Sequence, residues 1–329
     1  MSRPTTSSKP SIARRVVPST VGVPVSIVNE EPRRQRVDRV DTPLTSIGSV
    51  ELLGRDIVLV NGDLLAAVDQ LGLVKTIVAP AGAGPIVAAT ATGNSAEAVV
   101  VCHPYSDLLE IWKVKVSADA SWESMGTIPL DTYPSWSAKV VSDGRENAVL
   151  IGWAHGGQGE AELFQMKAAG WVGRKAPAFA SFGAASGRLF IGASSESGAP
   201  GLWSLAGVAP WTRVDRFGTS SVRILPESGL GVVSVKTEDG VVSTFDPAPG
   251  FRKVRTRTGD QSVDPDFGLS EKAATAVSRA SGVAPIRSGY LRTDGTGLAA
   301  TADGTFFLTR DSGVTWQTLK PSPSTENTP

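Results

Sequence analysis

Short apolar runs separated by turn residues fill the chain from Thr45 to Pro321, and the unit Ser137–Pro177 shows their order most clearly. It contains, in sequence order, a run, an Asp-Gly turn, a run, a glycine-rich loop and two further runs: Ser137–Ser142, Asp143-Gly144, Ala148–Ala154, Gly156–Gly159, Ala161–Lys167 and Gly170–Val172. Short runs bounded by Gly and Asp are typical of β-strands rather than helices. The unit therefore predicts four short strands joined by turns.

The same order recurs along the chain, which predicts a repeat architecture. Six copies can be delimited: Thr45–Val78, Pro85–Pro129, Ser137–Pro177, Ala178–Val214, Ser220–Thr256 and Ser288–Pro321. In the first copy Asn61-Gly62 is a hairpin signal. Repeats of about 40–50 residues with four strands each are typical of β-propellers. We predict an all-β fold, a six-bladed β-propeller of four-stranded blades, with five or seven blades as alternatives because the first copy is the weakest.

Large side chains recur at matching positions and set the register of the repeat. One set begins the predicted fourth strands: Trp122, Trp171, Trp211, Phe251 and Trp316. A second set lies in the predicted third strands: Trp112, Phe164, Trp203, Phe245 and Phe307. Leu73 occupies the fourth-strand position in the first copy. Since a four-stranded sheet cannot bury its own faces, we expect these side chains to wedge between neighbouring sheets.

The ends of the repeat and one insertion complete the predicted organisation. The segment 259–287 interrupts the last interval, and within it Ser270–Ala280 has helical composition. The first and last copies each supply four strands, so we expect the ring to close through apolar contact between them, without strand exchange. Residues 322–329 are expected to be a flexible tail.

Residues 1–44 differ from the rest in composition. They hold six prolines, many Ser and Thr, and eight basic against four acidic residues. Proline is not tolerated in helix interiors or central strands, so a segment with this many prolines cannot build a core of its own. One interpretation is a disordered leader. The other is an extended N-terminal arm that orders on neighbouring subunits, because its valines and isoleucine offer apolar anchors: Val16, Val17, Val21, Val23, Val25, Ile27 and Val28.

Composition excludes several classes of protein. The 329 residues carry 32 basic and 32 acidic side chains, so bulk charge gives no indication of nucleic-acid binding. No apolar run reaches the ~18 residues of a membrane span, and the first residues lack the apolar core of a signal peptide. The single Cys102 permits no internal disulfide and lies in an apolar run, which indicates a buried small side chain.

The most specific motif is Thr309-Arg310-Asp311-Ser312-Gly313-Val314-Thr315-Trp316. It resembles the Asp box of the BNR-repeat, sialidase-like β-propellers at all five defined positions: Thr309, Asp311, Gly313, Thr315 and Trp316. The resemblance implies a turn between third and fourth strands, in which the Asp and Thr side chains satisfy turn amides while Trp packs between sheets. In that family the box is structural and lies away from the catalytic face, so it implies a propeller and not an activity.

Candidate ligand residues fall into two groups. Lys139, Arg223 and Arg292 lie in predicted first strands and can approach a central channel. A polar, hydrated tunnel is one interpretation of these bases and an anion site is the other. Sialidase chemistry is disfavoured, since none of the three tyrosines can be paired with a Glu from the sequence. We predict no catalytic residues and no enzyme activity.

The second group is His103, Tyr105 and His155. Both histidines lie nine residues before a third-strand aromatic, so we expect them in equivalent loops between second and third strands of adjacent blades. Hydrogen bonding within the loops is favoured over a ligand or metal role, for which Asp107 or Glu160 would supply carboxylates. We predict no metal and no cofactor.

Two functional hypotheses follow. The first is a non-enzymatic structural or interaction propeller, anchored to other structural proteins of an assembly through residues 1–44. Its organisation resembles that of a bacteriophage virion component, a minor tail or tail-tip protein. A scaffold protein located in the cytoplasm is the alternative. The second is a carbohydrate-binding or glycoside-hydrolase-like propeller that acts on a host surface glycan through the histidine face. Neither hypothesis predicts nucleic-acid binding or membrane insertion.

Overall fold

The computed structural model describes residues 34–36, 46–92, 96–105, 107–116, 120–130, 136–155, 158–178, 181–194, 199–225, 231–247, 252–257, 286–292 and 294–322. These residues form 26 strands in six sheets, with one short 3-10 helix at Asp215–Phe217. The predicted helix at Ser270–Ala280 and the landmark Phe251 lie outside the described residues.

Each sheet is one blade, and its strands follow one another in sequence from the inner to the outer edge. Blade 1 consists of β2 (Val50–Leu52), β3 (Ile57–Val60), β4 (Leu64–Val68) and β5 (Leu73–Thr76). Blade 2 consists of β6 (Ile86–Ala91), β7 (Glu97–Tyr105), β8 (Leu108–Lys115) and β9 (Ser121–Pro129). Blade 3 consists of β10 (Trp136–Ser142), β11 (Asn147–His155), β12 (Gln158–Lys167) and β13 (Gly170–Ala176).

The remaining three blades repeat this order. Blade 4 consists of β14 (Ser181–Ala185), β15 (Arg188–Ala193), β16 (Gly201–Ala206) and β17 (Thr212–Arg213). Blade 5 consists of β18 (Val222–Ile224), β19 (Val233–Thr237), β20 (Val242–Asp246) and β21 (Arg252–Arg257). Blade 6 consists of β22 (Ile286–Leu291), β23 (Gly297–Thr301), β24 (Phe306–Thr309) and β25 (Gln317–Thr318). The prediction of an all-β, six-bladed propeller with four-stranded blades is confirmed, and the alternatives of five and seven blades are wrong.

Second strands are apolar on both faces, which explains why they appear in the sequence as continuous runs. All four residues of β3 are buried, as are 98–102 in β7 and 189–193 in β15. A strand that lies between two neighbouring blades has no solvent face, so it does not alternate apolar with polar residues.

Three of the recurring tryptophans pack between blades, as predicted, whereas Trp316 packs among described residues of its own blade 6. Trp122 is buried in a cluster with Leu59 and Leu65 of blade 1. Trp171 is buried against blade 2, where its indole Nε1 donates a hydrogen bond to the Met125 carbonyl at 2.8 Å. Trp211 packs half-buried on the cluster that joins blades 3 and 4. These side chains fill the space that diverging sheets leave toward their outer edges.

The ring closes through an apolar cluster between blades 1 and 6, as expected, and through one further strand. Leu298, Leu308 and Leu319 pack against the buried faces of β3 and β4. The strand β26 (Lys320–Pro321) then pairs in parallel with β5, the outer strand of blade 1. Both blades keep four strands of their own, but the expectation of closure without strand exchange is wrong, because the chain that leaves blade 6 adds a fifth strand to blade 1.

A fifth strand also covers blade 2. β1 (Arg34–Arg36) belongs to the predicted arm and pairs antiparallel with β9, with Gln35 opposite Trp122. The other residues of 1–44, and residues 323–329 of the predicted tail, lie outside the described residues. The assignment of 1–44 as an arm and of the tail as flexible stays a prediction.

The turns alternate between the two ends of each sheet and so define two faces of the disc. Turns from first to second and from third to fourth strands form face A, where Gly187 donates to the Asp143 carboxylate and Ser186 to the Gly231 carbonyl across blade boundaries. Turns from second to third strands form face B. Within the described residues, no helix is long and apolar enough to cross a membrane.

Candidate functional site

The inner strands surround a central channel of about 390 Å³. Charged side chains reach it from alternate blades: Glu51 from β2, Lys139 from β10 and Arg223 from β18. Blades 2 and 4 contribute small or apolar residues such as Ala89 and Phe182. The channel is therefore polar, with more basic than acidic groups in its described wall, because Arg292 also lines it.

Arg292 lies at the channel as predicted, but its guanidinium holds blade 6 to blade 1. The side chain is only 8% exposed. Its two terminal nitrogens donate hydrogen bonds to the backbone carbonyls of Leu52 and Leu53. The Tyr290 hydroxyl accepts a hydrogen bond from the Leu52 amide at 3.0 Å. Burial raises the pKa of Tyr290, although the nearby Arg292 charge opposes that rise.

Lys139 and Arg223 are exposed in the channel, in contrast to Arg292. Lys139 makes no hydrogen bond or ion pair within the described part of the chain, whereas Arg223 does have an interaction partner. A ligand role for either base stays a prediction.

The predicted histidine face lies apart from the channel, because its residues occupy the end of second strands on face B. His103 and Tyr105 belong to the last part of β7, and His155 is the final residue of β11. The expectation that both histidines lie in loops is thus wrong by a few residues, since the second strands extend further than the apolar runs. The side chain of His155 lies outside the described part.

His103 has one aromatic neighbour, Trp136, and neither Trp136 nor its cross-strand partner Trp153 is among the ligand residues predicted from the sequence. The imidazole contacts the Trp136 indole edge-on, with ring centroids 4.9 Å apart. Trp136 is directly opposite Trp153 in the β10–β11 register, and both indoles are half-buried. Tyr105 is 65% exposed at the same end of blade 2. The signal that could have found the pair is a tryptophan at each end of one predicted hairpin, outside the fourth-strand positions.

His103 lacks a polar partner beside these aromatic residues. Its Nε2 atom is buried and makes no hydrogen bond to any residue that the structure describes. Among the described residues, no three His, Cys, Asp or Glu side chains come together as a metal-ion site. The carboxylates considered as metal ligands, Asp107 and Glu160, therefore form no such group with the described histidine.

The turn 309–316 between β24 and β25 is built around one carboxylate. Asp311 accepts hydrogen bonds from the Thr315 amide at 2.8 Å and hydroxyl at 2.6 Å, and from the Thr309 hydroxyl at 2.9 Å. Gly313 adopts a φ of 82°, and its carbonyl accepts from the Trp316 indole at 3.2 Å. Burial would raise the pKa of Asp311, but these hydrogen bonds outweigh it and hold the pKa below its ordinary value.

The same turn connects the last blade to the first. Arg310 Nε donates to Asp56 Oδ1 at 2.7 Å, and its terminal nitrogen donates to the Asp69 carbonyl at 3.1 Å. The Gln317 amide donates to the Gln70 carbonyl nearby. The turn is therefore part of ring closure on face A, and membership of the Asp-box family stays a prediction.

Two further turns use the same chemistry and were missed in the sequence. In the turn 301–305, the carboxylate of Asp303 accepts hydrogen bonds from the Thr301 hydroxyl and the Thr305 amide. In the turn 237–241, the carboxylate of Asp239 accepts hydrogen bonds from the Thr237 hydroxyl and the Val241 amide. Hydrogen bonds from these threonines lower the pKa of both carboxyls. Both turns join second to third strands on face B, and the shared Thr-x-Asp-Gly spacing is the signal that could have found them.

Comparison with known proteins finds no matching family model and no matching curated protein. Similar solved structures include YCF48 bound to a D1 peptide, with 12% identity, a TM-score of 0.37, and coverage of 89% of this chain and 85% of that one. The six-bladed fucose-binding lectin of Aleuria aurantia has 10% identity, a TM-score of 0.42, and coverage of 82% and 87%. YCF48 from Cyanidioschyzon merolae has 13% identity, a TM-score of 0.38, and coverage of 86% and 87%. Similarities at this level say nothing about a ligand or partner of this chain.

Proposed function

We propose that this chain is a non-enzymatic interaction propeller that joins neighbouring subunits of an assembly through its N-terminal arm, residues 1–44. The observation that carries the proposal is β1, the part of the arm in the described structure, which pairs as an added strand with the outer edge of blade 2 of the same chain. The outer edges of a neighbouring subunit offer the arm the same mode of binding. A strand edge offers backbone donors and acceptors that an extended segment can satisfy without a shaped pocket.

The composition of the arm supports this role. Upstream of β1 the residues Val21, Val23, Val25 and Ile27 alternate with Gly, Pro and Ser. Such alternation suits a strand with one buried face, and an isolated strand cannot bury that face alone. The arm therefore has the pattern of a segment that orders on another surface. The assembly in this proposal is a bacteriophage virion, in which the chain is a minor tail or tail-tip protein.

The test compares assembly of the full chain with that of V23D/I27D, in which two arm anchors carry a charge. Multi-angle light scattering over a concentration series should show the wild type above the mass of one chain and the variant at that mass. The matched control T6D/A13D adds the same charge outside the alternating segment and should assemble as the wild type does. A variant V23D/I27D that assembles normally would remove the arm from the proposal. Detection of the chain in purified virions by mass spectrometry tests the setting.

A second candidate function is glycan binding on face B, and the Trp136–Trp153 pair favours it. The partly exposed indoles and the exposed Tyr105 at this end of blades 2 and 3 present apolar ring faces and a hydroxyl group together. A glycan array probed with the wild type and with W136A should give hits that the variant loses. An array without hits would exclude this function.

A further inference from the structure

The outer edges of the blades are not equivalent, and this difference points to a receiving surface for the arm. β26 covers β5, and β1 covers β9. Within the described residues, β13 is the longest outer strand without such a cover, at seven residues from Gly170 to Ala176. An uncovered edge of this length is a template for pairing with another chain.

Exposed apolar side chains flank this edge. Val172 in β13 is 44% exposed, and Val208 in the face A turn of blade 4 is 89% exposed. Arg174 donates a hydrogen bond to the Ala209 carbonyl at 3.1 Å, so its side of β13 faces that turn. Val172 lies two residues before Arg174 and so projects on the same side of the sheet. The two valines therefore border the same part of the rim.

The edge of β13 also continues the surface that β1 already occupies. Trp171 at the start of β13 donates its hydrogen bond to Met125 in β9, so the outer strands of blades 2 and 3 are adjacent. The arm covers β9 with residues 34–36, and the alternating segment 21–28 precedes them by a few residues. An arm that binds one outer strand by strand addition has the means to bind the next.

Charge is complementary between the two surfaces. β13 contains Arg174 and Lys175, and Lys175 is exposed. In the arm, Glu30 and Glu31 follow the alternating apolar residues directly. Glu162 lies opposite Lys175 on β12, but the outer strand itself carries only basic charges, so it favours a segment with acidic residues beside its apolar face.

We propose that the outer edge of β13, with Val172 and Val208, receives residues 21–31 of the arm of a second copy of this chain. The arm and the edge are different surfaces, so the contact is head-to-tail and repeats from copy to copy into a ring or a filament. This inference rests on the proposed function and specifies where the arm binds.

Two full-length variants with complementary defects test the proposal. V172D/K175E reverses the charge of the edge and keeps the arm, whereas V23D/I27D keeps the edge and disables the arm. Each alone should have the mass of one chain by light scattering, because like charges weaken the contact by about tenfold or more. An equimolar mixture should form a dimer, since one intact arm and one intact edge remain. The control L71D/K75E places the same charges on blade 1. Because β26 already covers β5, the outer strand of that blade, this variant should assemble as the wild type does.

The outcomes separate this inference from the proposed function. If V172D/K175E assembles normally while V23D/I27D does not, the arm binds elsewhere and the β13 edge is wrong. If both assemble normally, both proposals are wrong. If the wild type has the mass of one chain while V23D/I27D accelerates amide hydrogen exchange in residues 170–176, the arm pairs within its own chain and the head-to-tail contact is overturned.

Discussion

Gly72 lies so close to the Thr318 carbonyl that a Cβ on Gly72 would be 2.5 Å from that oxygen. This approach places the turn after β4 against the chain that leads to β26, where the Lys320 amide donates to the Gly72 carbonyl at 3.0 Å. Gly72 also has a φ of 80°, in the left-handed region that favours glycine. Ring closure therefore depends on the absence of a side chain at this position.

We predict that Gly72→Ala destabilises the protein more than Gly62→Ala does. Both glycines have φ near 80°, and an added Cβ at Gly62 meets nothing within 4 Å. Gly62→Ala should lower the free energy of unfolding by roughly 1–2 kcal/mol through backbone strain alone. Gly72→Ala adds a clash with backbone and should lower it by at least about 1 kcal/mol more. Urea unfolding followed by tryptophan fluorescence measures both, and equal midpoints would show that the Thr318 contact does not hold the ring.

Arg292 and Lys139 line the same channel, and we predict opposite importance for stability. Arg292→Met leaves the carbonyls of Leu52 and Leu53 without their charged donor and should lower the free energy of unfolding by about 1.5–3 kcal/mol. Lys139→Met removes an exposed side chain without a partner in the described structure, so its effect should stay within about 0.5 kcal/mol. Thermal unfolding of both variants checks the contrast. Equal losses of unfolding free energy in the two variants would show that the Arg292 hydrogen bonds to Leu52 and Leu53 do not hold blade 6 to blade 1.

The wedge positions could be predicted from the sequence because their physical requirement is local and periodic. Trp122 and Trp171 begin the fourth strand of successive blades, where the gap between sheets requires a large side chain. A large indole gains much free energy from burial, so a tryptophan that recurs at one strand position indicates a recurring gap, whereas Trp136 and Trp153 lie outside that position and are only half-buried. The number of blades could be predicted for the same reason, because each copy of the repeat forms one blade.

The role of Arg292 could not be predicted in this way, because its partners lie some 240 residues earlier in the chain. Lys139 and Arg223 have the same sequence signature, a base in a first strand, and only the neighbouring backbone distinguishes them. β26 was missed for a related reason. Lys320–Pro321 has no strand pattern, and its pairing with β5 depends on how the chain leaves blade 6.

Acid should weaken the turn around Asp311, and we predict that Asp311→Asn removes part of this pH dependence. Hydrogen bonds hold the pKa of Asp311 below its ordinary value of about 3.9, so the unfolded chain binds the proton more readily. The stabilisation is present above that ordinary value and is lost as pH falls through the lower pKa of the folded state. The advantage of wild type over D311N in free energy of unfolding should therefore be largest near neutral pH and shrink toward pH ~2.

The control for this series is Asp63→Asn. Asp63 is exposed, and its carboxylate accepts no hydrogen bond in the described part of the chain. D63N should follow the wild type across the whole pH range in urea titrations. If the difference in free energy of unfolding between wild type and D311N were the same at every pH, the hydrogen bonds from Thr309 and Thr315 would not favour the charged form of the carboxylate.

The single thiol of the chain should be almost unreactive in the folded protein. Cys102 is fully buried in β7, and burial, reinforced by the charge of Glu110, raises its pKa to about 12. An ordinary thiol has a pKa near ~8.5, so at pH 8 the folded chain should hold about a thousandfold less thiolate than the unfolded one. A thiol-reactive dye should therefore label the native chain at least about a thousandfold more slowly than the chain in urea. In a C102A/V314C variant, whose new thiol replaces an exposed valine, native labelling should be fast. Rapid native labelling of Cys102 would show instead that the second strand of blade 2 opens without global unfolding.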